Sequence, residues 1–349
     1  MANGAAALET PVNVPLPETK TSEGLHRLIF IGIAALLLVA PLLLYPVFLM
    51  KVLCFALFAC AFNLLLGYGG LLSFGHAAYF GMASYVSAYL AKYGLALAGI
   101  TAFGITIPLN VSLPPFDPAL AILTGAVAAG LLGLVFGALA IRRQGIYFAM
   151  ITLALAQMVF FFSLQAPRFT GGEDGIQAVP RGQMFGFVNL ADDRTLYYVV
   201  AAIFLGGILL IYRVIHSPFG QVLKAIRDNE PRAISLGYRV NHYKLMVFVL
   251  SAALAGLAGA TKAIVFQLAS LTDVHWTMSG EVVLMTLVGG MGTVFGPIVG
   301  ALVIVAMQNY LAHLGAWVTV VQGAIFVICV LLFREGIVGV LARWLKRPL

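Results

Sequence analysis

The sequence predicts an all-α membrane protein, a polytopic helical bundle of about ten (8–10) transmembrane helices, some of them broken by glycine. Its 349 residues are 62% hydrophobic and only 9% charged, whereas soluble domains have about 45–50% apolar and 25% charged residues. One soluble core cannot hide so much apolar surface, so lipid must cover part of it. Long apolar runs recur along the chain, and Lys and Arg cluster in the short segments between them, which is the pattern of membrane proteins.

Ten apolar runs approach the roughly 20 helical residues that cross a bilayer core about 30 Å thick. The segment 51–91 could cross the bilayer twice, or enter it and return on the same side. The predicted spans are 28–45, 47–66, 76–91, 119–141, 146–165, 196–214, 243–267, 280–295, 297–314 and 316–333.

The distribution of basic residues predicts the orientation. With the amino terminus in the cytoplasm, 14 of the 20 Lys and Arg lie in cytoplasmic segments, five lie outside and Lys262 lies within a span. The positive-inside rule therefore predicts that both termini are cytoplasmic. We divide the chain into a flexible cytoplasmic tail (1–27), a transmembrane domain (28–335) and a basic cytoplasmic tail (336–349). The net charge of +7 is spread over short loops, which argues against nucleic-acid binding.

The stretch Gly67–Gly81 is rich in glycine, which lets a helix leave regular geometry inside a membrane. Asn63, Ser73 and His76 lie in or next to this break, and Gln157 lies near the middle of another span. These polar groups could line a solute pathway, or they could satisfy the bent backbone and neighbouring helices. For Gln157 we favour a bond to a neighbouring helix.

A second glycine-rich stretch, Glu281–Gly300, contains a short echo of the first. Residues 69–75 resemble residues 289–296 with one extra residue, and repeated broken helices are a feature of transporter binding regions. Glu281 could meet solute or cap a helix start, and the cap is our preferred interpretation. Lys262 could extend outward from its span to water, and its role stays open. The predicted broken-helix glycines are Gly69, Gly70, Gly75, Gly289, Gly290, Gly292 and Gly296.

The cytoplasmic segment 217–244 is the longest predicted inside connection. Ser217-Pro218 is a typical helix start, and the following residues place Val222, Leu223 and Ile226 on one helical face and charged residues on the other. Pro231 and Gly237 divide the remainder into a second helical piece. Such an amphipathic element could lie on the membrane surface or dock into a groove of a partner protein.

Several chemistries have no counterpart in the sequence. It contains no GxxxxGK[ST] phosphate loop, no HExxH, no CxxC and no GxSxG motif. The three cysteines have neither disulfide nor metal-ligand spacing, so we interpret them as small buried apolar residues. The sequence therefore predicts no enzyme activity and no cofactor for this chain.

Five stretches in order resemble the LivM-type permeases of bacterial ABC importers: GYGGLLSFGHAAYFG, RRQGIYFAMITLALAQ, TGGEDGI, SPFGQVLKAIRDNEPRAISLGYRVNHYKL and LVGGMGTVFGPIVGA. The resemblance covers most of residues 28–335. It implies import of leucine, isoleucine and valine across the bacterial inner membrane, by a complex with a LivH-type permease subunit, two cytoplasmic ATPase subunits that hold ATP and Mg, and a periplasmic solute-binding protein.

The resemblance also assigns roles to two regions. Residues 217–244 become the coupling segment that contacts an ATPase subunit and moves when the ATPases close, and the solute passes near residues 67–81 and 287–300. The implied coupling residues are Lys224, Arg227, Asp228, Glu230, Arg232 and Gly237.

Four alternatives stay open at the level of sequence. The same importer class also carries urea, short amides and aromatic acids. An ion-driven secondary transporter would need ion ligands at mid-membrane, and the predicted spans contain almost no carboxylates. A ribose-type sugar permease shares broken helices but is disfavoured by the TGGEDGI and coupling stretches. A membrane-embedded enzyme or a scaffold is the remaining alternative.

Overall fold

The computed structural model describes residues 19–97, 100–102, 105–107, 111–186, 188–312, 315, 317, 320–324, 327 and 336–344. This part of the chain is mostly helical, as predicted. Its helices are α1 (Thr19–Leu43), α2 (Pro46–Asn63), α3 (His76–Tyr93), α4 (Pro118–Ala140), α5 (Ile146–Gln165), α6 (Pro167–Thr170), α7 (Asp193–Ile215), α8 (Pro218–Asp228), α9 (Glu230–Ser235), α10 (Val240–Phe266), α11 (Trp276–Gly289), α12 (Gly296–Tyr310) and α13 (Gly336–Trp344).

Five helices in the described residues are long and apolar enough to cross a membrane: α2 with its π-helical extension Leu64–Tyr68, α4, α5, α7 and α10. Together they confirm a multi-pass membrane protein. The predicted span 316–333 lies mostly outside the described residues. At the two ends, α1 begins at Thr19, inside the segment predicted as a tail, and α13 occupies much of the carboxy-terminal segment.

Short antiparallel strands are the part of the fold that the all-α prediction did not include. Strand β1 (Leu95–Leu97) pairs with β4 (Val111–Leu113), and β2 (Ile100–Ala102) pairs with β3 (Ile105–Ile107). The β-branched Ile, Thr and Val in this stretch favour extended backbone over helix. Strand β5 (Ile176–Gln177) pairs with β8 (Leu268–Ala269), and β6 (Gln183–Met184) pairs with β7 (Val188–Asn189).

Helix α2 is the centre of the bundle. It packs against α7, α10, α11 and α12. Of its most apolar 18-residue stretch 89% is buried inside the protein, whereas the corresponding share for α5 is 33%. Helices α3, α4 and α10 pack against one another beside it. Small residues allow the close approach of α4 to α10: a side chain at Gly133 would meet Ala252, and one at Gly256 would meet Ala129. Exposed leucines and valines on α1 and α4 form the surface that lipid would cover.

Helix starts follow the local sequence. Asp117 accepts a hydrogen bond from the Ala119 amide at the start of α4, and Asp192 does the same for the Thr195 amide at the start of α7. Ser217 caps α8, whose first residue is Pro218, as predicted. The TGGEDGI loop ends in β5, so it is attached by backbone pairing to the connection between α10 and α11.

Candidate functional site

The two glycine-rich breaks meet in space. We call residues 67–75 the first glycine break and residues 289–296 the second. Asn63, at the end of α2, joins them: its Nδ2 donates to the Thr293 carbonyl at 2.8 Å, and its Oδ1 accepts from the Gly292 amide at 2.9 Å. A side chain at Gly67 would collide with Asn63 Oδ1 and would stand 2.7 Å from the Gly292 nitrogen. Position 67 therefore requires glycine, and we call this contact the glycine junction.

Helix α8 of the coupling segment lies against the glycine junction. Arg227 Nη1 donates a 2.5 Å hydrogen bond to the carbonyl oxygen of Gly67. Gly70 has a left-handed backbone conformation (φ +67°), and a side chain there would stand 2.9 Å from Arg227 Cγ. Asp228 holds the same guanidinium through Nε and Nη2 at 3.1 and 3.0 Å. A charged side chain of the coupling segment thus contacts the broken helix directly.

Lys224 adds a second contact between α8 and the first glycine break. Its Nζ lies 5.7 Å from the centre of the Tyr68 ring, in cation–π geometry. Burial lowers the pKa of the Lys224 ammonium from its ordinary value, and the nearby positive charge of Arg227 lowers it further. The lysine and arginine together place two basic groups beside the end of α2.

Ser73 and Thr152 satisfy the backbone of the first glycine break. The buried hydroxyl of Ser73 accepts from the Gly75 amide at 3.2 Å, and Thr152 Oγ1 accepts from the Phe74 amide at 3.2 Å. Gly75 packs so closely on α5 that a side chain there would stand 2.8 Å from the Thr152 carbonyl. These contacts favour the structural interpretation of Ser73 over a pathway role.

His76 is completely buried at the start of α3. Its Nε2 lies 2.8 Å from Ser251 Oγ, which donates to the Ala61 carbonyl at 2.5 Å. Because the serine proton is used in that bond, Nε2 carries the histidine proton, and Nδ1 has no partner within the described residues. The rings of Phe62, Tyr79 and Phe248 surround the imidazole in edge-on contacts. The histidine connects α2, α3 and α10.

The remaining predicted pathway residue, Gln157, is half-buried on α5. The bond to a neighbouring helix that we predicted for it does not occur within the described residues. In the second glycine break, a side chain at Gly289 would collide with the Gly296 carbonyl, and one at Gly296 would collide with Thr293 Oγ1. Gly69 lies in the first break, where a side chain would stand 2.7 Å from the Leu65 carbonyl.

Glu230, predicted as a coupling residue, holds α9 to α10 and to the α4–α5 loop. Its Oε2 accepts from Lys244 Nζ of α10 at 2.7 Å, and its Oε1 accepts from Gln144 Nε2 of the α4–α5 loop at 2.9 Å. Arg227 and Glu230 thus make contacts inside this chain. Their side chains are only partly available to a partner protein.

The outward face of the coupling segment is formed by α9 and the turn after it. Arg232 and Gly237 are exposed there, and Gly237 adopts a left-handed conformation (φ +86°) that ends the helix. Ile234 and Leu236 are 58% and 68% exposed. Exposed apolar side chains with basic neighbours are typical of protein docking surfaces.

Two expectations about charged residues were wrong. Glu281 is the sixth residue of α11 and caps no helix; His275 caps it, by accepting from the Thr277 amide. Glu281 instead accepts from Gln308 Nε2 at 3.0 Å. Lys262 does not extend to water: its Nζ pairs with Asp273 at 2.6 Å, with both side chains largely buried. Asp273 follows the end of α10 by seven residues, and the short 3₁₀ turn Leu271–Asp273 brings it back over the helix.

Four hydrogen-bond partners were not predicted from the sequence. They are Thr152, which accepts from the backbone of the first glycine break, Ser251, which contacts His76, and Lys244 and Gln144, which both contact Glu230. Each lies between 14 and 175 residues from the group that it contacts. A spacing signal exists only for Lys244, because it lies 14 residues after Glu230 at the end of the coupling segment, near the start of α10.

Five candidate membrane spans in the described residues, two glycine breaks that meet and the segment 217–244 packed against them define the class of the chain as a multi-pass membrane protein. Residues 46–330 match the model of a protein family described as "branched-chain amino acid transport system / permease component". The chain belongs to this family of ABC importer permeases, whose transmembrane subunits are not catalytic and typically carry no cofactor.

Known relatives include both amino acid and sugar permeases. The chain is 26% identical to the high-affinity branched-chain amino acid transport system permease protein LivM of Salmonella typhimurium, over 64% of this chain and 58% of that protein. It is 27% identical to LivM of Escherichia coli, over 63% and 56%, so the match spans little more than half of these relatives. It is 29% identical to the ribose import permease protein RbsC of Bacillus subtilis, over 69% and 76%. No solved structure matches the chain.

Proposed function

We propose that this chain is a LivM-type permease subunit that imports leucine, isoleucine and valine across the bacterial inner membrane, with both termini in the cytoplasm. Its partners are a LivH-type permease subunit, two cytoplasmic ATPases that supply the ATP and Mg chemistry, and a periplasmic solute-binding protein. The family match and the two LivM relatives support this choice. The likeness to a ribose permease supports a sugar importer as the second candidate. Urea, short amides and aromatic acids are further substrates of the proposed class.

The hydrogen bond from Arg227 to Gly67 carries the proposal. An importer must convert movement of the ATPases into movement of the solute pathway. The Arg227 side chain of the proposed coupling segment contacts the first glycine break, near which the solute is proposed to pass. The proposed order of events begins when the ATPases close on α9. Helix α8 then moves with α9, and Arg227 displaces the end of α2 at the glycine junction. An ion-driven transporter would not need a cytoplasmic segment that projects toward an ATPase subunit.

Uncoupling tests the link. In the complete complex reconstituted in vesicles, Arg227→Ala should lower leucine transported per ATP hydrolysed by about tenfold, the effect of losing about 1.4 kcal/mol. Asp228→Ala should have a smaller effect, because Asp228 only orients the guanidinium. The matched control is Arg213→Ala, an exposed arginine at the end of α7. Normal coupling in the double variant Arg227→Ala/Asp228→Ala would refute the role of α8.

Copurification tests the partner face. Replacing both Ile234 and Leu236 by Ser should abolish copurification of the ATPase subunits, because it removes the exposed apolar surface of α9 and its turn. The control is Leu209→Ser, an exposed leucine on α7 that is predicted to face lipid. Undiminished ATPase recovery with the double variant would move the docking surface elsewhere.

A further inference from the structure

A cleft between α8, the turn after α9 and the start of α10 is separate from the glycine junction. It has a volume of about 510 Å³, and we call it the α8–α10 cleft. Its walls are aromatic: the rings of Phe219 and Tyr243 stack with centroids 5.6 Å apart, and Tyr238 meets Tyr243 edge-on at 6.2 Å. Arg239 and His242 line the same cleft, and both are exposed. The cleft therefore combines an aromatic surface with two side chains that donate hydrogen bonds to anions.

The α8–α10 cleft lies at the depth of the lipid headgroups. Helix α10 has 27 residues, which is about 40 Å of helix, and the hydrocarbon core of a bilayer is about 30 Å thick. One end of α10 therefore extends into the headgroup region, and the polar residues Asn241, His242 and Lys244 place that end at the start of the helix. Its last turn, 263–266, is apolar. Met246, one turn after His242, is 60% exposed and lines the cleft on the side of the hydrocarbon.

The positive charge at the cleft has no counterion in the part of the chain that the structure describes. Neither Arg239 nor His242 belongs to any of the ion pairs found there. The two carboxylates of the coupling segment, Asp228 and Glu230, are each paired with another basic side chain. No acidic side chain lines the cleft. An anion in the cleft would therefore meet two donors and no repelling carboxylate.

A neighbouring cleft of about 510 Å³ shares Arg239 and His242 but differs in its charge. Glu230 lines it, together with Arg142 and Ile234. The carboxylate would repel an anion, and Ile234 belongs to the face that we assign to the ATPase subunits. The α8–α10 cleft is thus the better site for an anion at the membrane surface.

We propose that the α8–α10 cleft binds the headgroup of an anionic phospholipid. The lipid phosphate accepts hydrogen bonds from Arg239 and His242, and the first carbons of the acyl chains lie along Met246. Aromatic belts and basic pockets at the ends of transmembrane helices commonly contact headgroups in this way. The bound lipid holds the turn after α9 against α10, because Tyr238 and Arg239 belong to that turn. The proposal requires only that α7 and α10 span a membrane, so it does not depend on which solute the chain carries.

Lipid binding to the purified permease–ATPase complex tests the cleft. The delipidated complex in detergent is titrated with dioleoylphosphatidylglycerol or with dioleoylphosphatidylcholine, and native mass spectrometry counts the lipids that it retains. We expect the first phosphatidylglycerol to bind about tenfold more tightly than phosphatidylcholine, because the choline group cancels the negative charge of the phosphate.

Three variants locate the binding. Arg239→Gln should lower the preference for phosphatidylglycerol by about tenfold, because a charged hydrogen bond to the phosphate is lost. Arg239→Lys keeps the charge and should retain most of the preference. The matched control Arg143→Gln removes an exposed arginine of the same membrane face that lines neither cleft, and it should leave the preference unchanged. Size-exclusion elution reports whether each variant complex is assembled, and the preference of the wild-type complex needs no substitution.

Millimolar inorganic phosphate should not displace phosphatidylglycerol, because it has no acyl chains to lie along α10. Displacement would assign the cleft to a free anion and overturn the proposal. An absent preference in the wild-type complex, or an unchanged preference in assembled Arg239→Gln, would also overturn it. Loss of the ATPase subunits from Arg239→Gln, with the lipid preference intact, would assign the cleft to the protein partner instead.

Discussion

The two glycine breaks have similar sequences but different neighbours. The first meets the coupling segment directly, through the Gly67 carbonyl and the close approach of Gly70 to Arg227. The second is joined to the first by Asn63, and a side chain at Gly292 would stand 3.8 Å from Arg227 Nη1, which is an ordinary contact distance. In the proposed mechanism, a displacement of α8 would therefore reach α2 first, and would reach α11 and α12 through the side-chain amide of Asn63. Two stretches of similar sequence would then have different roles. The first break would be displaced by α8 directly, and the second would be displaced through Asn63.

The largest expected loss of stability comes from adding a side chain at the point where the two breaks touch. Gly67→Ala would place a methyl group against Asn63 Oδ1 and the Gly292 backbone, and overpacking of this kind costs about 1–3 kcal/mol or more. We expect loss of most assembled protein and a lower melting temperature in detergent. Gly206→Ala is the matched control, because nothing lies within 4 Å of that position on α7. Equal stability of the two variants would contradict the close contact.

An intermediate effect is expected from cutting the side-chain bridge. Asn63→Leu keeps the size of the side chain but leaves the Gly292 amide and the Thr293 carbonyl without their partner, at about 1 kcal/mol for each of these partly buried hydrogen bonds. Transport should fall more than ATP hydrolysis, since α8 still contacts the first break. Asn309→Leu, an exposed position on α12, serves as control. A parallel loss of both activities would argue that Asn63 only stabilises the fold.

The smallest and most selective effect compares two glycines with left-handed backbone. Alanine costs about 1–2 kcal/mol in that conformation at either position, so Gly70→Ala and Gly292→Ala should lose similar stability. Only Gly70→Ala pushes against Arg227, at 2.9 Å from Cγ. It should therefore lower leucine transported per ATP more than Gly292→Ala does. The ratio of the two activities in vesicles measures the difference, and equal ratios would remove the distinction between the breaks.

The sequence predicted the class of fold because its signals are local. Apolar runs, Ser217-Pro218 and the glycine stretches each act through neighbouring residues, and they marked most helices within a few positions. The echo between the breaks was also visible as a pattern, although the contact between them was not. That contact depends on Asn63, whose partners lie about 230 residues away, and nothing local distinguishes it from any other polar residue near a bend.

Charged residues were the hardest to place. Lys262 was predicted to reach water and Glu281 to cap a helix, because each was judged by its own segment. Both find partners across a turn or on another helix, at Asp273 and Gln308. Pairing with an opposite charge lowers the free-energy cost of a charged side chain inside a membrane. Tertiary packing, however, decides which carboxylate a given lysine contacts. The internal partners of Glu230 were equally absent from the local sequence signals: its carboxylate binds Lys244 and Gln144, and its coupling role stays a prediction.

Helices α8 and α9 are fastened to the elements around them at three places: Arg227 to the first break, and the two oxygens of Glu230 to Lys244 of α10 and to Gln144. A helical segment held at one contact can rotate about that contact, and a segment held at two contacts can rotate about the line that joins them. Three contacts, on α2, α10 and the α4–α5 loop, restrict both rotations. In the proposed mechanism, a displacement of α9 would therefore act on all three elements together.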